Sequence, residues 1–187
     1  VSFVKQLYHL SEQELIKGCI ERVPHKQRLL FEQYSGKFMT VCLRYAIDTM
    51  EAEDMLQEGF VRIFKNIHQF KFEGSFEGWM RRIVVNVCLK SIQKRKIQFR
   101  EIEENSEREP QVDPYIYGNI CEEDLLKLIS KLPDGYRTVF NLNVIEGYSH
   151  DEIGVLLGIE ASTSRSQLVK ARRMLQSQII QLEKIAV

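Results

Sequence analysis

The chain has 187 residues, 26 basic and 26 acidic, so its net charge of +0 neither indicates nor excludes a nucleic-acid partner. With 44% hydrophobic and 28% charged residues it has the balance of a globular chain, long enough for one large domain or two small ones. Its four cysteines (Cys19, Cys42, Cys88, Cys121) and four histidines (His9, His25, His68, His150) are scattered, which argues against a metal site or a disulfide framework and for small buried hydrophobes in a reducing compartment. Val1 to Leu10 lacks the basic start and apolar run of a leader, and no stretch approaches the ~18 apolar residues of a membrane span. The expectation is a cytoplasmic protein without membrane insertion.

In chain order, Ser11 with Glu14 fits a capping box that opens a helix. Phe31, Tyr34, Phe38, Val41, Cys42 and Tyr45 recur at three- and four-residue steps, as do Ala52, Met55, Leu56, Phe60, Ile63, Phe64 and Ile67. Strand alternation is absent. An aromatic and glycine-rich loop follows, His68 to Trp79, and then a basic helix. From Glu101 to Asp124 nine acids face one base, Arg108, while Pro110, Pro114 and Gly118 interrupt. That composition predicts a flexible acidic linker. Beyond it Ser149 with Glu152 fits a second capping box, and Gly158 suits a glycine-terminated helix. The predicted fold class is all-α: a helical domain over 10–97, a linker over 98–121 and a second helical domain over 122–184.

Charge is segregated. Gly78 to Arg100 holds seven bases and no acid (Arg81, Arg82, Lys90, Lys94, Arg95, Lys96, Arg100). Ala161 to Leu182 holds four and no acid (Arg165, Lys170, Arg172, Arg173). Asp48 to Glu58 inverts the pattern with Asp48, Glu51, Glu53, Asp54 and Glu58. A single charge run is usually a solvated helix face. Two basic runs in two domains favour two contacts along one polyanion.

Ser149 to Leu157, the turn Gly158–Ala161 and a helix beginning near Ser162 or Thr163 read as a helix-turn-helix. Gly154 offers a small residue for a close approach. Leu168, Ala171, Leu175, Ile179 and Leu182 form the apolar face of the second helix. Thr163, Arg165, Ser166, Val169 and Lys170 are left for a major groove, with Arg172 and Arg173 better placed for phosphate.

The run LPDGYRTVFNLNVIEGYSHDEIGVLLGIEASTSRSQLVKARRML, from Leu132 to Leu175, closely resembles the −35-binding domain of sigma factors of the extracytoplasmic-function (ECF) group. The run DTMEAEDMLQEGFVRIFKNIHQFKFEGSFEGWMRRIVVN, from Asp48 to Asn86, resembles that group's core-binding and −10-melting domain. The resemblance implies an alternative sigma factor that binds core RNA polymerase through clamp and flap, engages duplex and single-stranded promoter DNA, and is held by an anti-sigma factor. It implies residence at the nucleoid when bound to polymerase. It implies that Asp54, Leu56, Gln57, Glu58 and Phe60 meet the polymerase. It places Phe72, Glu73, Gly74, Ser75 and Phe76, with Arg82, Asn86 and Lys90, at the −10 element, where a flipped base is trapped. Phe60, Phe64 and Trp79 also suit core packing, and Asn86 a buried amide. Gly59 and Gly154 replace bulkier residues or alanine, which predicts looser packing, and Val169 replaces a larger or polar one. No catalytic residue, cofactor, metal or small-molecule substrate is expected. The rival reading is a two-domain helix-turn-helix regulator that binds duplex DNA without being a polymerase subunit.

Overall fold

A computed structural model of the protein describes residues 11–100 and 122–185. Residues 101–121, which include most of the expected linker and Cys121, lie outside that description, as do the side chains of Lys96, Arg100 and Leu182. Every regular element among the described residues is helical. These residues divide into two compact units: those within Val1–Leu43 and Asp48–Ser91, and those within Arg44–Ile47 and Ile92–Val187.

The first unit opens with α1 (Glu12–Ile20). Its capping box is formed in full: Glu14 N–H donates to Ser11 Oγ (3.2 Å) and Ser11 N–H to Glu14 Oε2 (2.9 Å). Helices α2 (Pro24–Leu43) and α3 (Thr49–Asn66) pack together, and α1 lies on α2. Asp48 caps α3 by accepting from Glu51 N–H at 2.7 Å, so this acid of the Asp48–Glu58 run is used locally, as are Glu51, which accepts from Ser91 Oγ at 3.1 Å, and Glu58, which pairs with Arg62 one turn on. A single 3-10 turn (Ile67–Gln69) and a loop lead into α4 (Phe76–Arg100).

Most of the periodic apolar residues do what their spacing predicts: Tyr34, Phe38, Val41, Cys42 and Tyr45 are buried, as are Ala52, Met55, Leu56, Phe60, Ile63 and Ile67, and Phe64 is half-buried. Phe31 is exposed, and the buried place on that turn of α2 is taken by Leu30. Phe76, Met80, Val84, Val85 and Cys88 of α4 join this core. Gly59 does not loosen it. A Cβ there would sit 3.2 Å from Val84 Cγ2, so the missing side chain lets α3 and α4 close on each other. Cys19, Cys42 and Cys88 are buried, and burial pushes the Cys19 thiol up to about 11.

The second unit contains α5 (Glu122–Ser130), α6 (Asp134–Phe140), α7 (His150–Leu157) and α8 (Ala161–Ile185). Helix α8 is its spine, with α5, α6 and α7 all packed on it. Leu128, Ile129, Leu132, Ala171 and Leu175 form the apolar centre. The α5–α6 turn is held by Arg137, 3% exposed, whose guanidinium donates to Ser130 O (2.9 Å) and Asp134 Oδ1 (2.8 Å). After α6 the chain makes a π-helical turn, Asn141–Ile145, closed by Glu146 N–H donating to Asn141 O (2.9 Å). Gly147, at φ +78°, supplies the left-handed residue that ends it.

Candidate nucleic-acid interface

Three surfaces collect the charged and aromatic side chains singled out by the sequence. The first is the face of the helix-turn-helix. Ser149 caps α7 through a second complete capping box, with Ser149 N–H donating to Glu152 Oε2 at 2.8 Å. Gly158 ends the helix at φ +65°, its N–H returning to Gly154 O. Ile159 N–H also donates to Gly154 O (3.1 Å). Gly154 is therefore not a loose spot. A Cβ there would lie 2.8 Å from Ile159 O, so the close approach is to the backbone of the turn.

Along α8 the division of faces is clean. Ser164, Leu168, Ala171 and Leu175 are buried, and Ile179 packs partly against them. Arg165, Ser166, Val169, Lys170, Arg172 and Arg173 are exposed, while Thr163 is half-buried. Val169 adds an apolar surface, 48% exposed, inside the basic stretch. Lys170 Nζ rests 6.0 Å from the centre of the Tyr136 ring, a cation–π perch that restrains a long side chain. Ser166 Oγ donates back to Thr163 O at 2.9 Å, within its own helix.

The second surface joins the 70–75 loop to α4. Phe70 is buried and its ring meets those of Phe72 (5.3 Å), Phe76 (5.0 Å) and Trp79 (5.7 Å). Phe72 itself is 44% exposed and holds φ +59°, a left-handed conformation that a bulky residue rarely adopts. Gly74 follows at φ +78°. Ser75 then caps α4, its Oγ accepting from Gly78 N–H at 3.1 Å. Glu73, Gly74 and Ser75 are exposed.

Phe76 is not available there. It is 1% exposed, edge-on to Tyr34 and stacked on Trp79, so it holds the loop in place from beneath. Trp79 is half-buried. Arg82, Asn86 and Lys90 are all exposed at four-residue steps, so they form one stripe along α4. The buried-amide alternative for Asn86 does not hold.

The third surface is the outer face of α3. Glu53, Asp54, Gln57 and Glu58 are exposed. Leu56 and Phe60 are not: they are 9% and 3% exposed and belong to the core, Phe60 with its ring 4.7 Å from that of Phe31. The apolar area on this face comes instead from Met50 (73% exposed) and Val61 (61% exposed). Sequence reasoning missed both. The signal was present, because 50, 54, 57 and 61 fall on one helical face, opposite the stronger periodicity of the core set.

Among the described residues no cluster of histidine, cysteine or acids could hold a metal ion, and no helix is long and apolar enough to cross a membrane.

Two family models match the chain: Sigma-70 region 2 over residues 30–97 and Sigma-70 region 4 over residues 122–175. Among curated proteins it is 31% identical to the ECF RNA polymerase sigma factor SigE of Mycolicibacterium smegmatis, over 79% of this chain and 59% of that one. It is 30% identical to the ECF RNA polymerase sigma factor SigW of Bacillus subtilis, over 78% of this chain and 84% of that one. A solved structure with a similar fold is the sigma factor RpoE in complex with the anti-sigma factor NepR from Bartonella quintana. That match has a TM-score of 0.54 and 18% identity, and covers 81% of this chain and 95% of that chain.

Proposed function

From the premise that this chain belongs to the ECF group of RNA polymerase sigma factors, we propose how its exposed residues divide the work of promoter recognition. As a member of that family it directs transcription initiation as a subunit of the polymerase, not as a free-standing regulator. Residues 10–97 form its region 2 domain, 98–121 a linker and 122–184 its region 4 domain.

Helix α8 enters the major groove of the −35 element. The observation that carries this is its two-faced character: Leu168, Ala171 and Leu175 are buried while Arg165, Ser166, Val169 and Lys170 are exposed on the other side. Arg165 takes a base edge, and a good bidentate contact discriminates by about 1–3 kcal/mol. Arg172 and Arg173 neutralise phosphate, and Thr163 supports the first turn at the backbone.

Residues Phe72, Glu73, Gly74 and Ser75 form the wall of a pocket for an unstacked −10 base, with Asn86 reading its edge. The exposed ring of Phe72 offers a stacking face worth about 1–3 kcal/mol. Arg82 and Lys90 follow the backbone on either side of Asn86. Asp54, Gln57 and Glu58 meet basic groups of the polymerase clamp, with Met50 and Val61 adding apolar area. The region 4 domain contacts the flap.

The covalent chemistry of transcription belongs to the polymerase, and this subunit is not an enzyme. It works in the cytoplasm, at the nucleoid when in holoenzyme. An anti-sigma factor is its expected regulator, by analogy with the complex of the structural relative. In vitro transcription with core polymerase on a promoter library tests the whole reading. New start sites that depend on both a −35 and a −10 sequence are expected. Start sites unchanged by adding the protein would overturn it.

A further inference from the structure

Among the described residues of helix α8, Ser164 is the polar residue that is fully buried. Ser164 is 0% exposed and lies one turn before Leu168, on the side packed against the rest of the unit. A buried hydroxyl without a partner is costly, so its hydrogen bond is informative. Other hydroxyls in this unit bond within their own helices: Thr138 Oγ1 donates to Asp134 O (2.6 Å) and Ser166 Oγ to Thr163 O (2.9 Å). Ser164 instead reaches across to another helix. Its Oγ lies 2.9 Å from Nδ1 of His150, the first residue of α7.

We propose that His150 and Ser164 are a positioning pair that sets recognition helix α8 on α7 and so determines how sharply the −35 element is selected. The proposal rests on the reading of α8 as the −35 helix. Ser164 directly precedes Arg165, so any rotation or slide of α8 at Ser164 moves the guanidinium that reads the base. Side-chain hydrogen bonding to a base edge tolerates little displacement, because its geometry weakens steeply away from linearity. Apolar packing of Leu168, Ala171 and Leu175 holds the helix down but does not fix its rotation as a directional bond does. Gly154 brings the turn close at one end of the α7–α8 corner, and the His150–Ser164 bond ties the other. The Ser164 hydroxyl can donate to Nδ1 or accept from it according to the imidazole tautomer, and either way the bond joins the two helices.

The test uses holoenzyme assembled from the full chain and core polymerase. One template set is a duplex promoter library randomised at the −35 element. The control is a pre-melted −10 template with no −35 DNA. His150→Leu keeps the shape near the ring's first atoms but removes the bonding nitrogen. Ser164→Ala removes only the hydroxyl, and carries the test should His150→Leu fold poorly. His150→Asn places an amide, able to accept or to donate, at the δ position.

His150→Leu and Ser164→Ala are each expected to cut the enrichment of the preferred −35 sequence about tenfold, the effect of losing one part-buried hydrogen bond. The double variant should be no worse than either single one, since both remove the same bond. His150→Asn should return selectivity to within about twofold, a rescue that a merely space-filling role for position 150 would not give. Transcription from the pre-melted control should not change. Wild-type selectivity in both single variants, additive losses in the double, or failure of His150→Asn to rescue would each overturn the proposal. Arg165→Ala separates the two readings. If it alone loses selectivity, α8 reads the −35 element and the positioning pair falls. If it too keeps selectivity, both fall.

Discussion

Gly154 and Ile159 approach so closely that a Cβ on the glycine would lie 2.8 Å from the carbonyl oxygen of the isoleucine. The atom in the way is backbone, within a turn tied to Gly154 O by the N–H groups of Gly158 and Ile159. It cannot swing aside as a side chain can. The corner of the helix-turn-helix is therefore built around an absent side chain.

Gly154→Ala should be destabilising. Overpacking costs about 1–3 kcal/mol, against about 1 kcal/mol gained from better helix propensity. A net loss of up to about 2 kcal/mol is expected, and Gly154→Val should lose more. Thermal melting of the purified chain checks the order wild type, alanine, valine. An alanine variant that melts higher than wild type contradicts the geometry.

Phe72 trades stability for an exposed ring. Its left-handed backbone at φ +59° stores strain of about 1–3 kcal/mol that glycine would not pay. Phe72→Gly removes the stacking face along with the strain. The expected outcome is an equal or higher melting temperature together with slower opening of duplex promoters. Comparing duplex with pre-melted templates isolates the opening step.

Asn86 stands in the middle of the Arg82–Asn86–Lys90 stripe, exposed and therefore free to be replaced without disturbing the core. Asn86→Ala should leave the stability, read by thermal melting, within about 0.5 kcal/mol of wild type. It should slow initiation on duplex DNA and matter less when the −10 region is already open. Equal loss on both templates would assign Asn86 to a step other than opening.

On α3 the exposed and buried faces predict different failures. Asp54→Ala with Gln57→Ala should weaken association with core polymerase while the fold survives. Leu56→Ala should instead cost about 2–5 kcal/mol of stability, because it opens a cavity. Co-purification with core enzyme and thermal melting, taken together, distinguish the two. Val61→Asp should behave like the surface pair, since Val61 is 61% exposed.

Cys19 gives a pH-dependent prediction. Burial raises its thiol from the ordinary value near 9 to about 11, so the folded chain keeps the proton where the unfolded chain loses it. Stability from this site is intact below pH 9 and declines as the pH rises from 9 towards 11. Alkylation by iodoacetamide at pH 8 should be slow in the native protein and fast after unfolding. Rapid native labelling at Cys19 would show that the thiol is neither buried nor protonated.

Much of this was legible in the chain. Helical periodicity gave the core residues of α2, α3 and α8, because a face that must be buried has to repeat at the helical period whatever it packs against. The two capping boxes were legible for a similar reason: Ser11 with Glu14 and Ser149 with Glu152 complete their bonds within one turn. The exposure of Arg165, Lys170, Arg172 and Arg173 followed from the apolar residues on the other side of their helix.

Some features depended on residues distant in sequence. Phe60 and Phe76 were candidates for contact because they are aromatic and sit beside charged or glycine-rich stretches, yet both are core. Only the rings of Phe31, Phe38, Tyr34 and Phe70 decide that. Gly59 read as a loose spot, and Gly154 both as a loose spot and as a place of close approach, because a sequence shows the missing side chain and not the atom waiting to occupy its place.

The sequence by itself determined which elements are helices, where they are capped, and which charges cluster, since those depend on neighbours within about one turn. The tertiary structure decided which aromatic rings are surface, that Met50 and Val61 share a face with Asp54 and Gln57, and that Ser164 finds its partner in His150. Those outcomes turn on contacts between helices, and a buried polar group or a close backbone approach has no local pattern to announce it.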